Sequence, residues 1–226
     1  MWKTEPSAIG RIVVPPQIPA GFAVFCTTRD HRGEIVPEVI ARVLRERFAI
    51  EAATLATCVQ VHSANVVRVN ERVHRDCDAL WANERGTALG IKVADCLPIA
   101  IIDPVHAIVA DIHSGWRGAA QQIVAKTLDA LEGFDPASSY AYLGPSIRVC
   151  CFEVGEEVAA QFDARFVEST PTKPHVDLVA MTIAILRERG VAHIFDSGLC
   201  TRCEGSIFHS YRRDGGGGRN LMIAAL

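Results

Sequence analysis

Two histidines and a cysteine are the side chains in this sequence best suited to chemistry at a metal. His62 stands in "QVHSANVVRV", Cys96 in "ADCLPIAIIDP" and His113 in "IHSGWRGAA". Each lies near the edge of an apolar, strand-like run, where a side chain reaches a cleft instead of the core. Two imidazoles and a thiolate form a borderline-soft donor set that suits zinc. Three protein ligands leave the fourth tetrahedral position open, the pattern of catalytic rather than structural zinc. The three are far apart in the chain and share no short motif. Spacing therefore leaves a second reading open, in which they are ordinary, partly buried residues.

Other polar residues offer anion chemistry. In "HSGWRG", Ser114 and Gly115 are expected to open a helix, whose free N–H groups favour an anion, and Arg117 adds a forked donor in the first turn. The alternative is an exposed arginine beside a capping serine. "SYRRDGGGGRN" sets Arg212, Arg213 and Arg219 around four glycines, where backbone N–H groups can approach a phosphate. No Walker lysine is present, so this is not a P-loop. A flexible loop is the competing reading. Arg29, at the end of "FCTTR", is a further candidate. "CTRC" at 200–203 has no second CxxC to complete a zinc knuckle. The adjacent pair Cys150–Cys151 suits opposite faces of a strand better than one metal. Core packing is the expectation for both.

These residues need elements to hold them. "FAVFCTTR" (22–29) and "TCVQVHSANVVRV" (57–69) read as strand, the latter as strand, turn and strand. Residues 88–94 and 97–103 read as two strands bent apart at Pro98, with a turn at 103–106 and a return strand ending near His113. Asp95, Asp111 and Arg117 fall at the edges of these runs. Helices are expected over 37–48, where Pro37 suits the first turn, and over 114–133, with Gly133 as a stop, 155–165 and 177–189. The C-terminal segment reads as strand, Gly-rich loop and strand. Strands and helices are mixed without strict alternation, so the class is α+β with mixed sheets.

Composition sets the bounds. The chain has 226 residues, enough for one domain, with 49% hydrophobic and 22% charged residues. A net charge of -3 gives no electrostatic argument for nucleic acid or an anionic membrane. No apolar run is long enough for a transmembrane helix, and the N-terminus lacks a signal core, so the cytoplasm is expected. Eight cysteines without an export signal read as free thiols, some buried and some available as metal ligands.

In their order along the chain, these motifs resemble those of the YfiH-type family, long labelled multicopper polyphenol oxidase or laccase-domain proteins. The matching stretches are "TTR", "QVHSANVVRV", "DCDAL", "ADCLPIAIIDP", "IHSGWRGAA", "YLGPSIRVCCFEVGEEV", "CT" and "SYRRDGGGGRN". They span nearly all of residues 1–226. The resemblance implies a single α/β/β/α layered domain with zinc held by His62, Cys96 and His113. It implies a purine nucleoside phosphorylase acting on adenosine, inosine, guanosine and methylthioadenosine, with adenosine deaminase activity. Arg29, Arg117, Arg212 and Arg213 are then candidates to hold phosphate. Asp95, beside Cys96, is a candidate proton shuttle or ligand-orienting group. Two departures stand out: "DHRGE" follows Arg29 where the family has a Gly-rich turn, and the C-terminal glycines lack the family's threonine. The laccase label fits poorly, because eight histidines with no HxH pair cannot supply several coppers. Two other functions stay open. One is a metal-free hydrolase or deamidase with Cys96 as thiolate nucleophile and His113 or His62 as base. The other is a binding module with a structural zinc. The sequence gives no oligomeric state.

Overall fold

Alternating apolar runs build most of the molecule, in a computed structural model that describes residues 1–31 and 36–226. In chain order the strands are β1 (Lys3–Ser7), β2 (Gly10–Val14), β3 (Ala23–Thr27), β4 (Thr54–Val59), β5 (Val66–Arg68), β6 (Val73–Arg75), β7 (Ala79–Ala82), β8 (Thr87–Val93), β9 (Leu97–Asp103), β10 (Ile108–Ser114), β11 (Tyr140–Leu143), β12 (Val167–Glu168), β13 (His175–Val176), β14 (His193–Asp196) and β15 (Asn220–Ala225). The helices are α1 (Pro37–Phe48), α2 (Trp116–Ala120), α3 (Ile123–Ala130), α4 (Glu156–Ala159), α5 (Leu178–Glu188) and α6 (Tyr211–Asp214).

The strands form a seven-stranded sheet, β1-β2-β3-β15-β8-β4-β6, and a six-stranded sheet, β14-β11-β9-β10-β7-β5, with β12 and β13 paired apart. Successive side chains on a strand point to opposite faces, so each sheet has two apolar faces to cover. Between the sheets, Cys26, Leu89, Ile91 and Met222 meet Ala100, Ile102, Val109 and Tyr142. Outside the first sheet, Phe25, Leu55 and Ile223 pack on Ile40, Val43 and Leu44 of α1. Outside the second, Ile99, Ile101 and Ile112 pack on Ile123 and Leu128 of α3 and on Val179 and Leu186 of α5. The architecture is α+β in an α/β/β/α arrangement, as the resemblance implies.

Helix α1 begins at Pro37 and stops where Ala49 turns left-handed at φ 55°. Several expected elements differ. The single helix over 114–133 is broken into α2 and α3, because Gln122 takes the left-handed conformation at φ 65°. Gly115 is the N-cap of α2, and Ser114 is the last residue of β10. The helix over 155–165 is only the short α4, followed by a 3-10 turn at Ala164–Phe166. Pro98 lies inside β9, opposite His113; the bend falls instead at 94–96, with Asp95 at φ 91°. Asp111 is not at an edge but mid-strand and fully buried, and desolvation holds its carboxyl well above the ordinary range. The Pro-rich N-terminal segment is preceded by a β1–β2 hairpin that sequence reading did not expect. Residues 32–35 of the "DHRGE" departure lie outside the described residues.

Candidate active site

The bend at 94–96 carries the chain from β8 in one sheet to β9 in the other. Cys96 therefore emerges where the two sheets meet. Strand β10 runs antiparallel to β9, with His113 opposite Pro98 and Ser114 opposite Leu97. That register brings the end of β10 beside Cys96. His62 arrives from the loop after β4, with its backbone left-handed at φ 60°. The residues read as one strand-turn-strand unit around it enter different sheets: β4 joins the first and β5 the second.

The result is a compact donor set. One nitrogen each from His62 and His113 and the sulfur of Cys96 lie within 4.8 Å of one another. The Cys96 sulfur is 3.9 Å from His62 Nε2. The two imidazole rings meet edge to face, centroids 4.8 Å apart. His113 is buried, Cys96 is half-buried and His62 is exposed. The set fits a metal ion that binds nitrogen and sulfur. Gly115 makes the convergence possible: a Cβ there would sit 3.0 Å from His62 Cδ2 and 3.1 Å from Cys96 Sγ.

Asp78 organises the set and was not singled out by sequence reading. Its carboxylate accepts hydrogen bonds from the backbone N–H groups of Val61 (3.2 Å), His62 (3.0 Å) and Ser63 (2.7 Å). It also lies 2.7 Å from His113 Nδ1. Donation from Nδ1–H fixes the tautomer and leaves Nε2 free for a metal. Burial works against the Asp78 charge, but these hydrogen bonds win and hold its pKa at about 2. In the metal-free chain burial likewise opposes the Cys96 thiolate. Hydrogen bonds and charge from His113 and His62 nevertheless bring it down to about 6. Burial disfavours the His113 cation, yet Asp78 and Cys96 raise it to about 9.

The donors line a cavity of about 700 Å³. That volume falls within the range of small-molecule sites, about 300–1,000 Å³. Lys92, Arg117, Arg212 and Arg219 bring four cations to its wall, and Ile147, Phe152 and Tyr211 bring apolar surface. The Arg117 guanidinium rests over the Trp116 ring at 4.3 Å. Arg212 lies over Phe152 at 5.7 Å and donates to the Glu153 carbonyl at 2.9 Å.

Among the expected residues, His62, Cys96, His113, Asp95, Arg117 and Arg212 meet at this cavity. Asp95 spends both carboxylate oxygens elsewhere, accepting from Thr201 Oγ1 at 2.6 Å and from the Arg212 backbone N–H at 2.6 Å. It ties the C-terminal loop to the bend that carries Cys96. The structure does not bring Arg29 or Arg213 to the cavity wall. Arg29 donates to the Gly205 carbonyl. Arg213 donates to the carbonyls of Thr201, Arg202 and Phe208 and pairs with Asp214. Lys92 and Phe152 carried no signal in the sequence beyond their types. Arg219 was visible in its Gly-rich loop, but nothing separated it from its neighbours.

The geometry agrees with relationships across the chain. A family model described as multi-copper polyphenol oxidoreductase laccase matches residues 25–226. The chain belongs to this family. A curated relative named adenosine deaminase RL5, from an unknown prokaryotic organism, is 36% identical over 195 residues, covering 76% of this chain and 74% of that protein. The purine nucleoside phosphorylase YlmD of Bacillus subtilis is 34% identical over 157 residues. That match covers 64% of this chain and 56% of the relative. The crystal structure of YlmD from Geobacillus stearothermophilus superposes with a TM-score of 0.83 at 26% identity, covering 98% of each chain. Named relatives in the family thus include purine nucleoside phosphorylases and an adenosine deaminase.

One expectation about the cysteines is overturned. Cys150 and Cys151 sit in a turn, not on opposite faces of a strand, and their sulfurs are 3.7 Å apart. The thiols of the CTRC segment lie beside them.

Proposed function

We propose that this chain is a zinc-dependent purine nucleoside phosphorylase that takes adenosine, inosine, guanosine and methylthioadenosine, with adenosine deaminase as a second activity. The observation that carries it is one cavity with a nitrogen–sulfur donor set at one end and four cations in its wall. His62, Cys96 and His113 would hold the zinc, which would supply Lewis-acid chemistry and a water of lowered pKa. The chain's own residues do the rest. Arg117, Arg212, Arg219 and Lys92 hold phosphate; Arg29 and Arg213 brace the loops behind them. Phe152 and Tyr211 offer faces to the purine. In phosphorolysis a phosphate oxygen bonds to ribose C1′ as the bond to the purine nitrogen breaks, and the electron pair leaves with the base. In deamination water replaces the 6-amino group, which leaves as ammonia. Asp78 keeps His113 in one tautomer, and Asp95 positions the Arg212 loop.

The test is a product assay on metal-quantified protein. Adenosine should give adenine only when phosphate is present, and inosine with or without it. Both should vanish in His62→Ala and Cys96→Ala. Full activity in either variant would sink the proposal. The laccase description is disfavoured because several coppers need many paired imidazoles. Copper loading with intense blue colour would reverse that judgement.

A metal-free reading has one observation in its favour. The Cys96 thiol at about 6 and the His113 ring at about 9 make a thiolate–imidazolium pair at neutral pH. Such a pair is the equipment of a Cys–His hydrolase or deamidase. Activity that survives exhaustive chelation would favour it. A zinc-containing binding module is disfavoured by the open three-ligand set, since structural sites are closed by four.

A further inference from the structure

Behind the cavity wall lies a second cluster. The sulfurs of Cys150, Cys151, Cys200 and Cys203 are all within 4.8 Å of one another. Cys151 Sγ is 3.7 Å from Cys150 Sγ and 3.5 Å from Cys203 Sγ. Four thiolates about 2.3 Å from a zinc ion form a tetrahedron with edges of about 3.8 Å. These two separations lie just inside that edge, and the whole set spans no more than 4.8 Å. All four cysteines are free. Cys151 and Cys200 are buried and Cys150 and Cys203 are exposed, so an ion can enter from solvent without unfolding the core.

The CTRC turn supplies Cys200 and Cys203, and the facing turn at 149–151 supplies Cys150 and Cys151. The facing turn replaces the second CxxC that a zinc knuckle ordinarily supplies. Sequence spacing missed the site because two of its ligands are adjacent residues, whose sulfurs converge only when the chain turns at 149–151.

We propose that Cys150, Cys151, Cys200 and Cys203 bind a second zinc ion as a closed, structural site, distinct from the three-ligand set in the cavity. Binding forms four Zn–S bonds, and the remaining thiol protons pass to solvent. The ion clamps the turn before Phe152 to the turn that Arg213 holds through the Thr201 and Arg202 carbonyls. A bridge between Ser146 and Cys200 already joins the two segments. The clamp would steady Phe152 and the Arg212 loop, which form one side of the cavity.

The experiment uses the full chain purified without chelator and its zinc content by mass spectrometry. Wild type should hold about two zinc ions per chain, one for each donor set. The double variant His62→Ala/Cys96→Ala leaves the four cysteines untouched and should keep one. X-ray absorption at its zinc edge should show a sulfur-only shell at about 2.3 Å. Cys200→Ser/Cys203→Ser should also drop to one, now with nitrogen in the shell. Zinc-free His62→Ala/Cys96→Ala that folds normally by circular dichroism overturns the proposal. So does a nitrogen- or oxygen-containing shell in that variant, or thiol titration showing a disulfide among the four. The stoichiometry and shell are read without any activity, so failure of the phosphorylase assignment leaves this test intact.

Discussion

The Asp78 carboxylate accepts from three successive backbone N–H groups and holds the His113 ring, so one side chain sets both the loop that presents His62 and the tautomer of His113. Asp78→Asn keeps the size but cannot accept all these bonds. Metal affinity should fall about 10–100-fold, as for other partners of metal-bound histidines. Competition with a chromophoric chelator measures it, and an unchanged constant would deny Asp78 the orienting role. Gly115→Ala pushes a methyl group against both His62 and Cys96. The expected outcome is loss of metal with circular dichroism unchanged. Residue type and strand-edge position made the three donors candidates, and only the resemblance joined them into one set, because eight histidines and eight cysteines offer many other combinations. The roles of Asp78 and Gly115 were not legible, since an aspartate in "DCDAL" and a glycine before a helix acquire them only through partners distant in the chain. The arginines were ambiguous for a related reason: a guanidinium at a loop end serves a phosphate or a row of carbonyls equally well.

Among the elements, the β9–β10 turn is the one that fixes the register of His113. Asp103, at the end of β9, is buried and accepts from the N–H groups of Val105 (2.9 Å), His106 (3.1 Å) and Asp135 (2.8 Å), and it meets the His106 ring at 2.8 Å. Asp103→Ala should cost about 2 kcal/mol of stability, the order expected when buried donors lose a partner. Burial raises the Asp103 pKa, but these hydrogen bonds outweigh it and hold the group below the usual carboxylate range. A carboxyl depressed in the fold stabilises it above the unfolded value of about 3.9, and that gain is lost as pH falls through the folded value. In urea titrations the gap between wild type and Asp103→Ala should therefore be full at pH 7 and shrink below about pH 4. A constant gap would contradict this account. Helix α1 was readable to its ends because Pro37 and the apolar spacing agree. The break between α2 and α3 was not, because Gln122 carries no turn signature and periodicity ran on across it.

Across the whole molecule, a net charge of -3 coexists with four cations at the cavity wall. Local positive potential in a cleft concentrates anions whatever the overall sign. The second-order rate constant for phosphate should fall as salt rises. Arg219→Gln should raise the KM for phosphate several-fold with little change in kcat. Salt-independent phosphorolysis, or an unaltered KM, would remove these cations from phosphate binding. The layered arrangement was available through the resemblance but not through the patterns alone. Buried strands such as "LPIAIID" show a continuous apolar run, which says that both faces are covered without saying by what.

One pairing has a temporal consequence. Strand β15 lies between β3 and β8 at the middle of the larger sheet, and Met222 faces Cys26 across a separation of 196 residues. On a ribosome, β3 and β8 wait with open edges until β15 emerges. Until then the nascent chain presents two unpaired, apolar templates for aggregation, the stage at which a chaperone is most needed. Arg219 immediately precedes β15, so the basic wall of the cavity is completed in the same late event. During synthesis the basic wall should therefore form only with this closure, and not progressively as the rest of the sandwich forms.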